Sequence, residues 1–144
     1  MEGKNKMVRR EIFKKRPNSE LMSELNKIAK VSFDRQEYLA PALIYFQMVE
    51  GLLRYQMSYF AFVNRVDEKA ILKASEDEQS FPRLVIYLDL VKPDNGLSKR
   101  LQDFGKKRNK IVHELLTFDL NSMKQDLRDF STEGVKLYGD LLHL

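Results

Sequence analysis

The sequence predicts an all-α fold, an antiparallel bundle of five to six helices. Three observations lead to this prediction. Apolar residues recur every three or four positions along several segments, which is the spacing of one helix face. No segment shows the alternation of apolar and polar residues that is typical of a half-buried strand. Residues that break helices separate the periodic segments, most clearly at residues 92–96.

Length and charge predict how the chain is divided. At 144 residues it is long enough for one domain with a sound core, which we place at residues 18–144. A basic arm at residues 1–17 precedes it, with seven Lys and Arg against two Glu in residues 1–16, whereas the remainder has 18 basic and 19 acidic residues. The arm either attracts phosphate backbones without reading sequence or only solubilises the chain.

Composition and motifs exclude several kinds of site. Because cysteine is absent, disulfides and thiolate metal sites are excluded, and a reducing cytoplasm is the expected compartment. The two histidines, His113 and His143, have no acidic cluster beside them, so we expect no metal site. No glycine-rich phosphate loop is present, and no cofactor is expected. The most apolar run, residues 38–46, is too short to cross a bilayer, and no secretion signal is visible.

The first predicted helix starts after residue 18 and ends near residue 31. Asn18 and the residues after it form a helix start, because a short polar side chain can accept hydrogen bonds from the first free N–H groups. Its expected inward face consists of Leu21, Leu25 and Ile28.

The second helix, over about residues 35–62, is the longest. Asp34 is its expected cap, and Pro41 marks either its start or a kink. The helix is apolar on nearly every side, so we expect it to lie in the centre of the bundle or under a second subunit. Its polar exceptions form one strip, which consists of Gln47, Glu50 and Arg54.

Glu50 has two interpretations. It can pair with Arg54 one turn away, which stabilises a helix by only about 0.2–0.5 kcal/mol. Alternatively, Glu50 or Gln47 faces Arg108 from across the bundle and supports it.

Four further helices are predicted, at residues 66–74, 80–91, 97–116 and 122–142. Pro82 fits the first turn of the helix at residues 80–91, where proline is tolerated. The inward positions expected in the last helix are Met123, Leu127, Phe130, Leu137 and Leu141.

The helix at residues 97–116 carries an unusual polar group. Its apolar stripe consists of Leu97, Leu101, Phe104, Ile111 and Leu115. Arg108 falls on that stripe, and Asn109 and His113 share the face beside it, four residues apart. Burying such polar groups costs free energy unless a partner or a ligand bonds to them. The alternative is that Arg108 extends its head into water and His113 is a structural residue at the edge of the core.

The pattern Arg108-Asn109-x-x-x-His113 on a helix, followed by apolar residues, resembles the signature of the HEPN superfamily. Its members are small all-helical domains, many of them metal-independent ribonucleases. The resemblance implies an endoribonuclease that works as a homodimer with a composite Arg/His site. It also implies a role in toxin–antitoxin or antiviral defence, with an antitoxin or effector protein as a partner. Leu115 stands where HEPN toxins paired with nucleotidyltransferases usually carry tyrosine, so neutralisation by that route is not expected.

The motif residues suit RNA cleavage without a metal. His113, with an ordinary pKa near 6.5, can act as acid or base, and the Arg108 fork can bind a phosphate. Asn109 can orient the His113 ring or bind RNA. One chain supplies one motif histidine, whereas a two-fold dimer would bring two into one cleft. The residues expected to hold the RNA backbone there are Lys106, Lys107 and Lys110.

Two other functions fit the same sequence. Many HEPN-like bundles are non-catalytic modules for dimerisation or for binding proteins or nucleotides, and they keep the motif for structure. A helical domain that binds nucleic acid only through the arm and the lysines would show strong salt dependence but no cleavage.

Overall fold

The computed structural model describes residues 17–63, 80–117 and 119–144. These residues form five α-helices and no strand, so the prediction of an all-α fold is confirmed for this part of the chain. The predicted helix at residues 66–74 and most of the basic arm lie outside the described residues. The helices are α1 (Ser19–Asp34), α2 (Leu39–Val63), α3 (Phe81–Val91), α4 (Ser98–Glu114) and α5 (Lys124–Leu142).

The start of α1 agrees with the sequence. The Asn18 side-chain oxygen accepts hydrogen bonds from the backbone N–H groups of Glu20 and Leu21, at 3.0 and 3.1 Å. These bonds satisfy two donors that have no partner inside the helix. The predicted starting point of this helix is therefore confirmed.

The prediction that Asp34 caps the second helix is wrong. Asp34 is the last residue of α1, and α2 begins only at Leu39. The turn between them includes Gln36 with a positive φ of 60°, which ends the first helix. Pro41 lies in the first turn of α2, where its missing N–H costs no hydrogen bond. It therefore belongs to a helix start and produces no kink.

The inward face of α1 also differs from the prediction. Leu21 and Ile28 are 55% and 52% exposed, whereas Ala29 is fully buried. Ala29 packs with Tyr45 and Met48 of α2. Because alanine is small, α1 and α2 can approach each other closely at this point. The face that packs against α2 is therefore rotated by about one residue from the predicted one.

The described helices fall into two compact units. Of the described residues from 18 onwards, one unit comprises 50–63 and 80–98, and the other comprises 18–49, 99–117 and 119–144. In the first unit, Leu84 and Leu88 of α3 are fully buried, and Val91 is half-buried. The motif helix α4 belongs almost wholly to the second unit.

Three aromatic rings form the centre of the second unit. The rings of Phe104 and Phe130 stack 4.2 Å apart at an angle of 5°, and Phe46 stacks on Phe104 at 5.7 Å. This cluster, the aromatic stack, joins α2, α4 and α5. Gly134 lies close beside the stack, because a Cβ atom at this position would lie 3.3 Å from the Phe104 ring. The same Cβ atom would lie 2.8 Å from Tyr45 Cβ. The stack fixes the face that α4 turns towards the interior.

The predicted apolar stripes of α4 and α5 are confirmed. Leu97, Leu101, Phe104 and Ile111 are buried, and Leu115 is half-buried. All five predicted inward residues of α5 are buried.

Hydrogen bonds fix the start of α4. The Asn95 side-chain oxygen accepts from the backbone N–H groups of Leu97 and Ser98, at 2.7 and 3.0 Å. The Asp89 carboxylate accepts from the Ser98 hydroxyl and from the Asn95 amide. These two donors lower the pKa of Asp89 below its ordinary value. The link ties the end of α3 to the beginning of α4.

An ion-pair network joins α4 to α5. Arg100 Nε donates to Glu133 at 3.1 Å, and Arg100 Nη1 donates to Asp140 at 2.7 Å. The hydrogen bond to Asp140 raises the pKa of Arg100, with a smaller contribution from Glu133. The side chains are roughly one-third to one-half exposed, so solvent screens the attraction.

None of the described helices is both long enough and apolar enough to cross a membrane.

Candidate functional site

Arg108 occupies an apolar position of α4. Phe104 and Ile111, one turn to either side of it, are 1% and 6% exposed. Arg108 itself is half-buried. Its Cζ atom lies over the Phe46 ring, 4.5 Å from the ring centre. The aromatic face takes the place of the apolar partner that a leucine would have here, and it attracts the cation.

One nitrogen of Arg108 is enclosed. Its Nε atom is buried and has no hydrogen-bond partner within the described residues. A buried donor left unpaired costs free energy, so this arrangement is uncommon in native proteins. The two terminal nitrogens are not among the buried, unpartnered atoms of the described chain. The guanidinium therefore rests on the Phe46 ring with its Nε atom enclosed, and its two terminal nitrogens are not enclosed in this way.

Asn109 and His113 lie on the adjoining face of α4. Both are exposed, and they are one helical turn apart. Among the described residues neither side chain makes a hydrogen bond, so both are open to a ligand. The backbone carbonyl of His113 accepts from the Thr117 hydroxyl at 3.4 Å, near the end of the helix. The helix thus presents an amide and an imidazole next to the held guanidinium.

The three candidate lysines do not all lie on one side. Lys106 is exposed and lies two turns before His113, on the same side of the helix, and Lys110 follows it one turn later. Lys107 lies on a different side and lines a pocket of about 150 Å³, which Lys110 also borders. The same pocket is lined by three carboxylates, those of Glu114, Asp126 and Asp129.

These carboxylates reduce the positive potential at Lys107 and Lys110. Lys110 Nζ lies 3.7 Å from a Glu114 carboxylate oxygen. Lys110 is 69% exposed, so this pair is weak. Lys106 is therefore the lysine best placed beside the motif, and RNA contact by all three stays a prediction.

Glu50 forms the helical pair that was one of its two interpretations. Arg54 Nη2 donates to Glu50 Oε1 at 2.9 Å, one turn along α2. Arg54 is buried, and Ser58 donates its hydroxyl to the Arg54 carbonyl at 3.1 Å. Support of Arg108 by Glu50 stays a prediction.

Sequence reasoning missed Phe46. It was counted among the many apolar residues of α2, and nothing in its periodicity distinguishes it from its neighbours. Two features of the sequence could have indicated this contact: Arg108 at an apolar position of its helix, and the many aromatic residues of α2. Guanidinium groups stack on aromatic faces.

Two exposed apolar side chains flank the motif. Val112 is 41% exposed and Leu116 is 87% exposed. Val112 lies on α4 four residues after Arg108, and Leu116 lies in the turn that follows the end of α4. Together they leave a small apolar area uncovered at this end of the helix.

The described residues contain no group of three or more His, Asp or Glu side chains placed to hold a metal ion. The second histidine, His143, is exposed and follows the end of α5.

No protein-family model matches this sequence, and no curated protein or solved structure matches it either. The resemblance to HEPN domains therefore rests on the motif residues and on the all-helical fold.

Proposed function

We propose that this protein is a metal-independent endoribonuclease of the HEPN type, acting as a homodimer with a composite Arg/His site. The observation that supports it most is the arrangement on α4. Arg108 is held against Phe46, while Asn109 and His113 stand uncovered on the adjoining face of the same helix. A fixed cation beside an imidazole, which can accept and donate a proton, suits cleavage of a phosphodiester.

The proposed reaction uses the ribose 2′-hydroxyl as nucleophile. One His113 removes the proton from this hydroxyl, and its oxygen attacks the adjacent phosphorus. The bond from phosphorus to the 5′-oxygen breaks, and a second His113 gives a proton to that oxygen. Arg108 stabilises the charge that develops on the phosphate oxygens. The products are a 2′,3′-cyclic phosphate and a 5′-hydroxyl.

The reaction needs two histidines, which is the reason for the dimer. In a two-fold contact through α4, equivalent residues of both copies lie near the axis. The exposed Val112 and Leu116 beside the motif supply apolar area for such a contact. This apolar area supports the proposed dimer. In the dimer, two Arg108 and two His113 side chains would share one cleft.

We further propose a role in toxin–antitoxin or antiviral defence, in the cytoplasm, with an antitoxin or effector protein as partner. This part rests on the resemblance of the motif. Leucine rather than tyrosine at position 115 argues against neutralisation of the enzyme by modification of the motif helix.

The first test is RNA cleavage in EDTA. Wild type, Arg108→Ala and His113→Ala are incubated with structured and unstructured RNA. We expect cleavage by wild type only, with a loss of at least about 100-fold in each variant, the usual size of an acid–base contribution. The matched control is His143→Ala, which removes the other exposed histidine and should cleave as wild type does.

The second test is inactivation across subunits. Wild-type and His113→Ala protomers are mixed, unfolded and refolded together to form mixed dimers. A shared cleft that needs both histidines would lose its acid or its base, so verified mixed dimers should lose at least about 100-fold in activity. Mixed dimers that keep about half of the wild-type activity would contradict the shared cleft.

A non-catalytic binding module is the second candidate. It is favoured by the exposed apolar pair, Val112 and Leu116, and by the carboxylates that surround Lys107 and Lys110. It predicts intact RNA in every assay, together with loss of dimerisation in Val112→Asp and Leu116→Asp variants.

A further inference from the structure

We infer that Phe46 is the positioning residue for Arg108 and that it makes the guanidinium meet a phosphodiester through its two terminal nitrogens. This inference rests on the proposed function for the identity of the ligand. The orientation of Arg108 rests on the contact geometry alone.

The Phe46 ring is itself fixed. It is 4% exposed and stacks on Phe104 at 5.7 Å and, at the longer distance of 6.3 Å, on Phe130. Its burial and the closer contact with Phe104 leave Phe46 little freedom to turn. The Arg108 Cζ atom lies over this ring, 4.5 Å from its centre. The core therefore fixes the ring face against which the guanidinium rests.

The enclosed Nε atom determines which edge of Arg108 is available. A guanidinium can bind an oxyanion side-on, through Nε and one terminal nitrogen, or end-on, through both terminal nitrogens. Nε is buried and has no partner among the described residues, so the side-on edge is closed to a ligand. The end-on edge remains, and it matches two oxygens of one phosphodiester.

The contact also explains how a buried donor without an acceptor is tolerated. The attraction between the cation and the ring face offsets part of the cost of desolvating Nε. Removing the ring while keeping an apolar core would release the guanidinium to other orientations.

Three variants separate positioning from core packing. Phe46→Leu removes the ring face, and Phe46→Tyr keeps it. The matched control is Phe130→Leu, at a site with similar burial, 3% exposed. It removes the more distant ring, 6.3 Å from Phe46, and keeps both the closer Phe46–Phe104 contact and the ring under Arg108.

The first measurement uses no RNA. The Arg108 Nε–H resonance is assigned in a ¹H–¹⁵N NMR spectrum by its loss in Arg108→Lys. We expect slow exchange with water in wild type, Phe46→Tyr and Phe130→Leu, and at least tenfold faster exchange in Phe46→Leu. Unchanged exchange in Phe46→Leu would overturn the inference, as would equally fast exchange in Phe130→Leu.

The second measurement is binding of a 2′-O-methyl RNA oligonucleotide, which lacks the nucleophile and stays intact. We expect Phe46→Leu to weaken binding roughly 2- to 30-fold, the range of a cation–ring contact, and Phe46→Tyr to restore it. In an Arg108→Ala background, Phe46→Leu should add no further loss. A further loss of the same size there would show that Phe46 acts on binding by another route and would overturn the inference.

The two measurements separate the inference from the proposed function. If wild type binds no RNA while the Nε–H exchange depends on Phe46, the ribonuclease proposal fails and the orientation of Arg108 stands.

Discussion

Arg108 of α4 lies with its Cζ atom 4.5 Å from the centre of the Phe46 ring of α2. This contact connects the candidate site to the core, because Phe46 is buried and stacks on both Phe104 and Phe130. Arg108, although it lies on an apolar stripe, is therefore supported by an aromatic ring, and its two terminal nitrogens remain available to a ligand. Asn109 and His113 need no such support, since both are exposed.

Gly134→Ala should destabilise the protein by about 1–3 kcal/mol, the usual cost of overpacking a core. The added Cβ would lie 2.8 Å from Tyr45 Cβ and 3.3 Å from the Phe104 ring. Tyr45 Cβ is next to the backbone and cannot swing away, so α5 would have to move. Urea unfolding measures the change in the free energy of unfolding.

The control for this prediction is Gly139→Ala in the same helix. A Cβ atom there meets nothing within 4 Å. Alanine should stabilise this position by up to about 1 kcal/mol through its higher helix propensity. Equal effects of the two substitutions would contradict the close packing at Gly134.

Arg100→Ala should cost no more than about 1 kcal/mol, although Arg100 bonds to both Glu133 and Asp140. The three side chains are substantially exposed, so water and salt screen them. The loss should shrink in 1 M NaCl, as measured by thermal unfolding. Lys99→Ala, at the neighbouring exposed position, is the control; a salt-independent loss at Arg100 would show that packing of its stem dominates.

Asp89 should make stability depend on acid pH. Its pKa is lowered in the folded state by hydrogen bonds from Ser98 and Asn95. The stabilisation is therefore present above the unfolded-state pKa, about 3.9, and is lost as pH falls through the lower folded-state pKa. Asp89→Asn should be less stable than wild type at neutral pH, and the difference should shrink below about pH 4.

The measurement is urea unfolding at a series of pH values, with Asp94→Asn as the control. Asp94 lies in the same connection, and its side chain makes no hydrogen bond among the described residues. A difference between Asp89→Asn and wild type that does not vary with pH would contradict the role of the carboxylate.

Lys106 and Lys107 should differ in their effect on RNA binding. Lys106 lies on the side of His113, whereas Lys107 lines the pocket that contains Asp126 and Asp129. Lys106→Ala should lower the slope of log K against log salt by about 0.7, the value for one phosphate contact on a single strand. Lys107→Ala should leave the slope nearly unchanged. Equal changes in both slopes would show that the RNA covers both sides of α4.

The sequence was sufficient to predict the helices and most of their buried faces. The stripes of α4 and α5 follow directly from spacing, because many large apolar residues agree on one direction. The face of α1 was predicted wrongly, since only the partner helix decides whether a large residue or a small one such as Ala29 is buried. Periodicity gives the angle of a stripe around its own axis and says nothing of the neighbour.

The candidate site was predictable in its residues but not in its support. The positions of Arg108, Asn109 and His113 on one helix follow from their spacing. The Phe46 contact depends on how α2 and α4 pack, which the chain order does not specify. The separation of Lys106 from Lys107 could have been derived from the helical angle. Only the structure shows the carboxylates of α5 beside Lys107 and Lys110.

The most direct test of the central claim is the identity of the RNA ends produced in EDTA. A defined oligonucleotide is incubated with wild type, with His113→Ala and with the control His143→Ala, and the products are analysed by mass spectrometry. Attack by the 2′-hydroxyl predicts a 2′,3′-cyclic phosphate and a 5′-hydroxyl, and a 2′-deoxy substitution at the cut site should abolish cleavage. Products with a 3′-hydroxyl and a 5′-phosphate, or cleavage that persists in His113→Ala, would contradict the claim.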